Sequence, residues 1–152
     1  MMVRLISFLV INFGALGLGS LITKEAVISD WYKNLNKAPW TPPGWVFGAA
    51  WTSIMVLFAI YMSYLWTKTE NKTLLVALFV FQWILNVCWN PIFFYFHYMS
   101  LSLVVISALT VLMGYFLFEN WAKMGFKSAL VAPYFIWLLI ATSLNLYTVL
   151  YN

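Results

Sequence analysis

The residues best suited to hold a ligand in this chain are neutral. Gln82, Asn86 and Asn90 recur at i, i+4 and i+8, which lines three amides along one helix face with Trp89 beside them. Trp137, Ala141 and Asn145 repeat that spacing further along. Amides and indoles form hydrogen bonds but shuttle no protons near neutral pH, so the chemistry on offer is recognition. Conventional catalysis lacks its parts. One histidine, one cysteine and four acids near loops cannot assemble a carboxylate pair, a Ser/His/Asp set or a metal cluster, and the serines have no base. No metal site and no firm catalytic residue is expected.

The elements that carry these groups follow from composition. Of 152 residues, 64% are hydrophobic, 20% aromatic and only 8% charged. A water-facing domain carries roughly 25% charged residues, so the chain reads as an all-α integral membrane protein. Its net charge of +4 comes from eight dispersed Lys and Arg residues, which form no nucleic-acid patch. Cys88 is the only cysteine and reads as a small hydrophobe, so a disulfide scaffold is excluded.

Charge-free stretches place the spans. Residues 5–23 would form ~28 Å of helix at 1.5 Å per residue, which matches the hydrocarbon core. That stretch is too long for a signal-peptide core and ends without a small-residue cleavage site, so it reads as the first transmembrane helix. Further helices are expected near 45–66, 74–96, 100–120 and 128–151, the break in the long 73–118 run falling near His97-Tyr98-Met99-Ser100. A single five-helix membrane domain, 1–152, results, with one long loop at 24–43. No Asp, Glu, Lys or Arg lies inside a span, which excludes a proton relay, a voltage sensor or a Schiff-base lysine.

Five crossings put the long loop, the 97–99 turn and the C-terminus on one face of the membrane. The other face holds Arg4, Lys68, Lys72, Lys123 and Lys127 against Lys24, Lys33 and Lys37, which favours a cytoplasmic N-terminus in a plasma membrane. Trp51 lies roughly 10 Å in from Gly44 on the loop side, and Asn90 and Asn145 lie nearer that side too. Two readings of the amides stand: they glue helices together, or they line a flat aromatic cavity with Trp51, Trp89 and Trp137. Gly44, Gly48 and Thr52 recur every four residues and allow close backbone approach by another helix or a second subunit.

The segment from Trp31-Tyr32-Lys33-Asn34 through Pro39-Trp40-Thr41-Pro42-Pro43-Gly44-Trp45 to Trp51-Thr52 resembles the signature of the tryptophan-rich sensory protein / translocator protein family, also called the peripheral-type benzodiazepine receptor. Leu85-Asn86-Val87-Cys88-Trp89 with Phe93-Phe94 agrees with it, as does Pro133-Tyr134-Phe135-Ile136-Trp137 with Ala141 and Asn145. The resemblance implies a five-helix bundle in the lipid bilayer, usually a homodimer, whose cavity takes tetrapyrroles (protoporphyrin IX, haem) and isoquinoline carboxamides as ligands rather than as resident cofactors. By matching position it makes Trp51 and Trp137 the indoles facing the porphyrin, Asn86 the cavity amide and Ala141 the small residue they pack on. Trp31, Tyr32 and Trp40 would belong to a lid formed by 24–43. Gln82, Trp89, Asn90 and Asn145 complete the expected ligand-binding set.

Two departures matter. The family block usually continues Trp-Ser, whereas this chain reads Trp89-Asn90-Pro91, and the proline should free the Val87 carbonyl and kink the helix. His97 is read as an interfacial residue rather than a haem ligand, since an iron-free porphyrin needs none. The resemblance leaves two functions: a receptor, sensor or translocator without chemistry, or a light- and oxygen-dependent porphyrin-degrading enzyme with Trp51 and Trp137 as electron donors. The second departure concerns sterols. No Lys or Arg follows Tyr147, so the proposed cholesterol motif lacks its basic end. A sterol photoprobe is therefore expected to give no cholesterol-competed labelling near Tyr147; competed labelling there would refute the reading.

Overall fold

With no water in the hydrocarbon layer, each backbone N–H must be paired within its own segment, and long apolar runs therefore become helices. The computed structural model describes residues 2–152. The order is α1 (Met2–Ala26), α2 (Asp30–Asn34), α3 (Gly44–Lys68), α4 (Lys72–Asn90), a π-helical turn (Pro91–Tyr95), α5 (Met99–Glu119), α6 (Trp121–Met124), a 3-10 stretch (Gly125–Val131) and α7 (Ala132–Tyr151). Five helical segments among the described residues are long and apolar enough to cross a membrane, and no strand occurs. The observed helices overrun the expected ones at several ends. The first extends through Lys24 and Glu25 to Ala26, the last segment begins at Trp121, and the 24–43 loop is shortened and carries α2. Charged residues at a helix end sit outside the hydrocarbon, so absence of charge marks the core of a span better than its limits.

α5 packs along α7 and α1 along α3, while α4 closes the bundle against α1 and α5. At the centre, Phe58 lies 5.5 to 6.1 Å from the rings of Tyr61, Phe79, Phe116 and Tyr134. Tyr61 Oη donates to the Phe116 carbonyl at 2.7 Å, and Asn12 Nδ2 donates to the Met55 carbonyl at 3.1 Å. Each bond satisfies a polar atom buried among hydrocarbon side chains.

Pro91 sets the end of α4. Without an N–H it cannot continue the i to i−4 ladder, and the chain widens into the π-helical turn. Phe96 N then donates to the Pro91 carbonyl at 2.9 Å and Tyr98 N to the Ile92 carbonyl at 3.0 Å. His97 follows with φ at 58°, a left-handed residue that reverses the chain into α5.

Where α1 passes closest to Asn90 of α4 it carries a small residue. A Cβ added to Gly19 would stand 2.9 Å from Asn90 Nδ2, whereas one on Gly17 would meet nothing within 4 Å. Asn90 cannot easily withdraw, because its Nδ2 donates to the Asn86 carbonyl at 3.3 Å and its Oδ1 accepts from Thr23 Oγ1 at 3.1 Å. Gly19→Val is expected to destabilise the bundle by about 1–3 kcal/mol, as overpacking typically does. Gly17→Val should leave thermal unfolding in detergent nearly unchanged, and equal shifts for the two would refute the close-approach argument.

Candidate functional site

The loop between α1 and α3 folds down onto the bundle at two places. Ser29 caps α2 by accepting from Tyr32 N at 3.3 Å, which fixes the direction of the following aromatics. Trp31 stacks on His97 with ring centroids 3.8 Å apart and meets the edge of Phe93 at 5.7 Å. Tyr32 packs on Phe94 at 5.6 Å, and Lys37 Nζ lies 4.6 Å from the Tyr32 ring. Burial pushes the Tyr32 hydroxyl above its usual value, so the phenol stays protonated beneath the Lys37 cation until strongly alkaline pH. At its far end the loop grips the last helix. Trp40 Nε1 donates to Ser143 Oγ at 3.1 Å and its ring meets Tyr147, while Asn36 and Asn152 exchange backbone–side-chain hydrogen bonds at 2.9 and 3.3 Å.

Beneath this cover the amides find partners. Gln82 Nε2 donates to Tyr134 Oη at 3.0 Å and Asn86 Nδ2 donates to the same hydroxyl, joining α4 to α7. Tyr134 in turn meets Trp51 edge-to-face at 5.7 Å, and Trp137 meets Phe47 in the same manner at 5.3 Å. Trp89 Nε1 donates to Asn145 Oδ1 at 3.1 Å and stacks on Phe93. Asn145 is held further by Ser102 Oγ, which donates to it at 2.9 Å, and by its own bond to the Met99 carbonyl. Two buried atoms in this region have no partner: the acceptor Gln82 Oε1 and the donor Trp137 Nε1.

The expected set thus divides by position. Trp51, Gln82 and Asn86 gather around Tyr134, and Trp137 stands about one turn further along α7 against Phe47. Trp89 and Asn145 form a second cluster, joined through Phe93 and Phe94 to Trp31 and Tyr32 of the loop. Trp40 belongs to the loop's attachment to α7, and its side chain is still 54% exposed. Asn90 faces α1 instead of this cluster, because its amide is drawn to Thr23 and the Asn86 carbonyl. Ala141 is half-buried on α7 against the core. Two cavities, of about 400 and 430 Å3, open elsewhere among the described residues, while Gln82, Asn86, Tyr134 and Trp137 are buried.

Sequence reading overlooked three contributors. Tyr134 stands in a recognised block without an assigned role, although a phenol about three turns from Asn145 signals a buried hydroxyl in need of partners. His97 reads from the sequence as an interfacial residue rather than a haem ligand, and its part as the platform for Trp31 is what that reading lacks. Asn12 is a lone amide in an apolar helix, and that rarity was the available signal.

This geometry can be set beside known proteins. The family model described as TspO/MBR family matches residues 6–150. The chain belongs to that family. It is 33% identical over 121 residues to the tryptophan-rich sensory protein of Cereibacter sphaeroides, covering 76% of this chain and 73% of that one. It is 34% identical over 137 residues to the tryptophan-rich protein TspO of Archaeoglobus fulgidus, covering 88% and 87%. To the human translocator protein it is 32% identical over 120 residues, covering 76% and 70%. An integral, multi-pass membrane protein of the TspO/MBR family is what fold and relatives agree on.

Within this TspO/MBR bundle Tyr134 should be the energetic centre of the α4–α7 contact. Tyr134→Phe leaves two amide N–H groups without an acceptor, at about 1–3 kcal/mol for each buried group left unsatisfied. The thermal midpoint should fall in Tyr134→Phe and recover partly in Tyr134→Phe with Gln82→Leu. No fall in the single variant would refute the role.

Proposed function

We propose that this member of the TspO/MBR family is a membrane receptor or translocator that binds a tetrapyrrole, protoporphyrin IX or haem, or a flat isoquinoline carboxamide, at the Tyr134 cluster. One observation carries the reading. Gln82 Oε1 and Trp137 Nε1 are a buried acceptor and a buried donor without partners, and each such atom costs about 1–3 kcal/mol. A porphyrin's propionic acid side chains offer an O–H, when protonated, to the first and a carboxylate to the second. Its flat face suits indoles, and Trp51 and Trp137 already make edge-to-face contacts with Tyr134 and Phe47. Entry requires the loop over residues 24–43 to lift, which makes it a lid.

The same indoles support a second reading, in which bound porphyrin is degraded in light with oxygen. Trp51 and Trp137 would then donate electrons to the excited ligand. A bilayer setting, a cytoplasmic N-terminus and a homodimer complete the proposal. The dimer is supported by Gly48 on α3, where an added Cβ meets nothing within 4 Å. Specific cholesterol binding is not part of it.

Purified protein titrated with protoporphyrin IX should lose tryptophan fluorescence saturably, and Trp51→Phe/Trp137→Phe should weaken that response. Quenching that stays linear and is identical in the variant would refute the pocket. Absorbance followed in light and in darkness separates the two readings, since a receptor leaves the porphyrin spectrum unchanged in both.

The lid has its own test. Trp31→Ala/Trp40→Ala removes one anchor at each end, so ligand dissociation should accelerate more than association. Amide exchange across 31–43 should also slow when ligand binds; unchanged dissociation and ligand-independent exchange would count against a lid.

A further inference from the structure

At the end of the bundle remote from the lid, a cavity of about 430 Å3 opens between the C-terminal end of α3, the start of α4 and the end of α5. Its volume lies in the lower part of the roughly 300–1,000 Å3 range of small-molecule sites. Its floor is hydrocarbon: Leu65, Leu75, Leu78 and Phe116. Its rim is polar, with Lys68, Lys123, Glu70 and Asn120. Asn120 Nδ2 and Tyr61 Oη both donate to the Phe116 carbonyl, at 3.2 and 2.7 Å, which fixes the floor in place.

The lysines on this face divide into two kinds. Lys72 Nζ lies over the Trp66 ring and donates to the Trp66 and Thr69 carbonyls, and Lys127 Nζ lies 4.0 Å from the Tyr64 ring centroid. Those two cations are already matched by aromatic faces and carbonyls. Lys68 and Lys123 are exposed, and they are the pair on the cavity rim. Two cations against one carboxylate leave the rim net positive above an apolar floor. Leu74 and Tyr115 line the wall and are also 48% and 43% exposed on the outside of α4 and α5, so the cavity opens sideways toward lipid.

The geometry points to a second binding site here, for a single-chain amphiphile of the bilayer whose anionic head group lies between Lys68 and Lys123 and whose chain lies over Leu75, Leu78 and Phe116. The site is independent of the lid cluster. The rings of Phe58, Phe116, Tyr61 and Tyr134 stand packed between the two. Glu70 opposes the head group, so its charge limits affinity.

A photoactivatable palmitate tests this in the full chain reconstituted into phosphatidylcholine nanodiscs. Labelling should concentrate on peptides covering 74–78 and 115–123. Dodecyl phosphate should compete, and dodecyltrimethylammonium should not. Lys68→Gln/Lys123→Gln should raise the half-competing dodecyl phosphate concentration roughly fivefold, as expected for two partly exposed charges, with recovery in Lys68→Arg/Lys123→Arg. Glu70→Gln should lower that concentration. Labelling spread evenly over the lipid-facing helices, competition blind to head-group charge, or Glu70→Gln and the lysine variant shifting alike would each overturn the site. Butyl phosphate competing as well as dodecyl phosphate would show a water-borne anion instead and overturn the lipid assignment. Protoporphyrin quenching measured on the same variants should be unchanged, which keeps failure here distinguishable from failure at the lid cluster.

Discussion

Inside a membrane a polar side chain has no water to turn to, and the arrangement of this bundle follows from that shortage. Tyr134 takes both amides of α4, Asn145 takes Trp89 and Ser102, and Asn12 reaches the Met55 carbonyl. Each link joins residues more than forty positions apart in sequence. Hydrophobic burial cannot select helix neighbours in lipid, because lipid tails are as apolar as leucine. Hydrogen bonds with fixed partners can, so the polar atoms determine which helix faces which. Against that background Gln82 Oε1 and Trp137 Nε1 stand out as polar atoms in the same layer that remain unpaired.

The loop between α1 and α3 obeys a related rule at the interface. Its aromatics need burial and its lysines need water, and a loop lying on the end of the bundle provides both. The attachment has two ends of different character. Trp31 and Tyr32 stack on the turn that Pro91 and His97 create, whereas Asn36 and Trp40 hydrogen-bond to α7. Pro39, Pro42 and Pro43 restrict the free chain and reduce the entropy lost on closing. Pro91, a departure from the family pattern, therefore acts at a distance: by ending α4 in a wide turn it positions the ring on which Trp31 rests.

Much of this was legible in the sequence. Charge-free runs gave five spans, parity put the loop and the C-terminus on one face, and the observed Asn36–Asn152 contact requires that arrangement. The amide stripe was read as either glue or cavity wall, and its members divide by partner. Asn90 is glue, since it ties α1 to α4, while Gln82 is partly bonded and partly unpaired. Periodicity could not separate them, because it gives the face of a helix but not which neighbour occupies it. Helix ends were less legible, since Lys24 and Glu25 continue α1 into water where charge is harmless. The Tyr134 hub was hidden for a similar reason: a tyrosine among apolar residues looks like core until its partners on another helix are known.

The aromatic centre also bears on how such a bundle handles a ligand. Phe58 packs against four rings, and Tyr61 and Phe116 are tied through a carbonyl, so the middle of the bundle is close-packed. Moving a flat ligand straight through would require these rings to separate together, and close-packed interiors do not deform gradually. Lifting the lid asks for less. It breaks a few stacked contacts and hydrogen bonds that already lie at the membrane surface, where water can replace them. Under the proposed entry at the loop end, a ligand would leave by that end or sideways between helices, and close packing at the centre opposes passage along the axis.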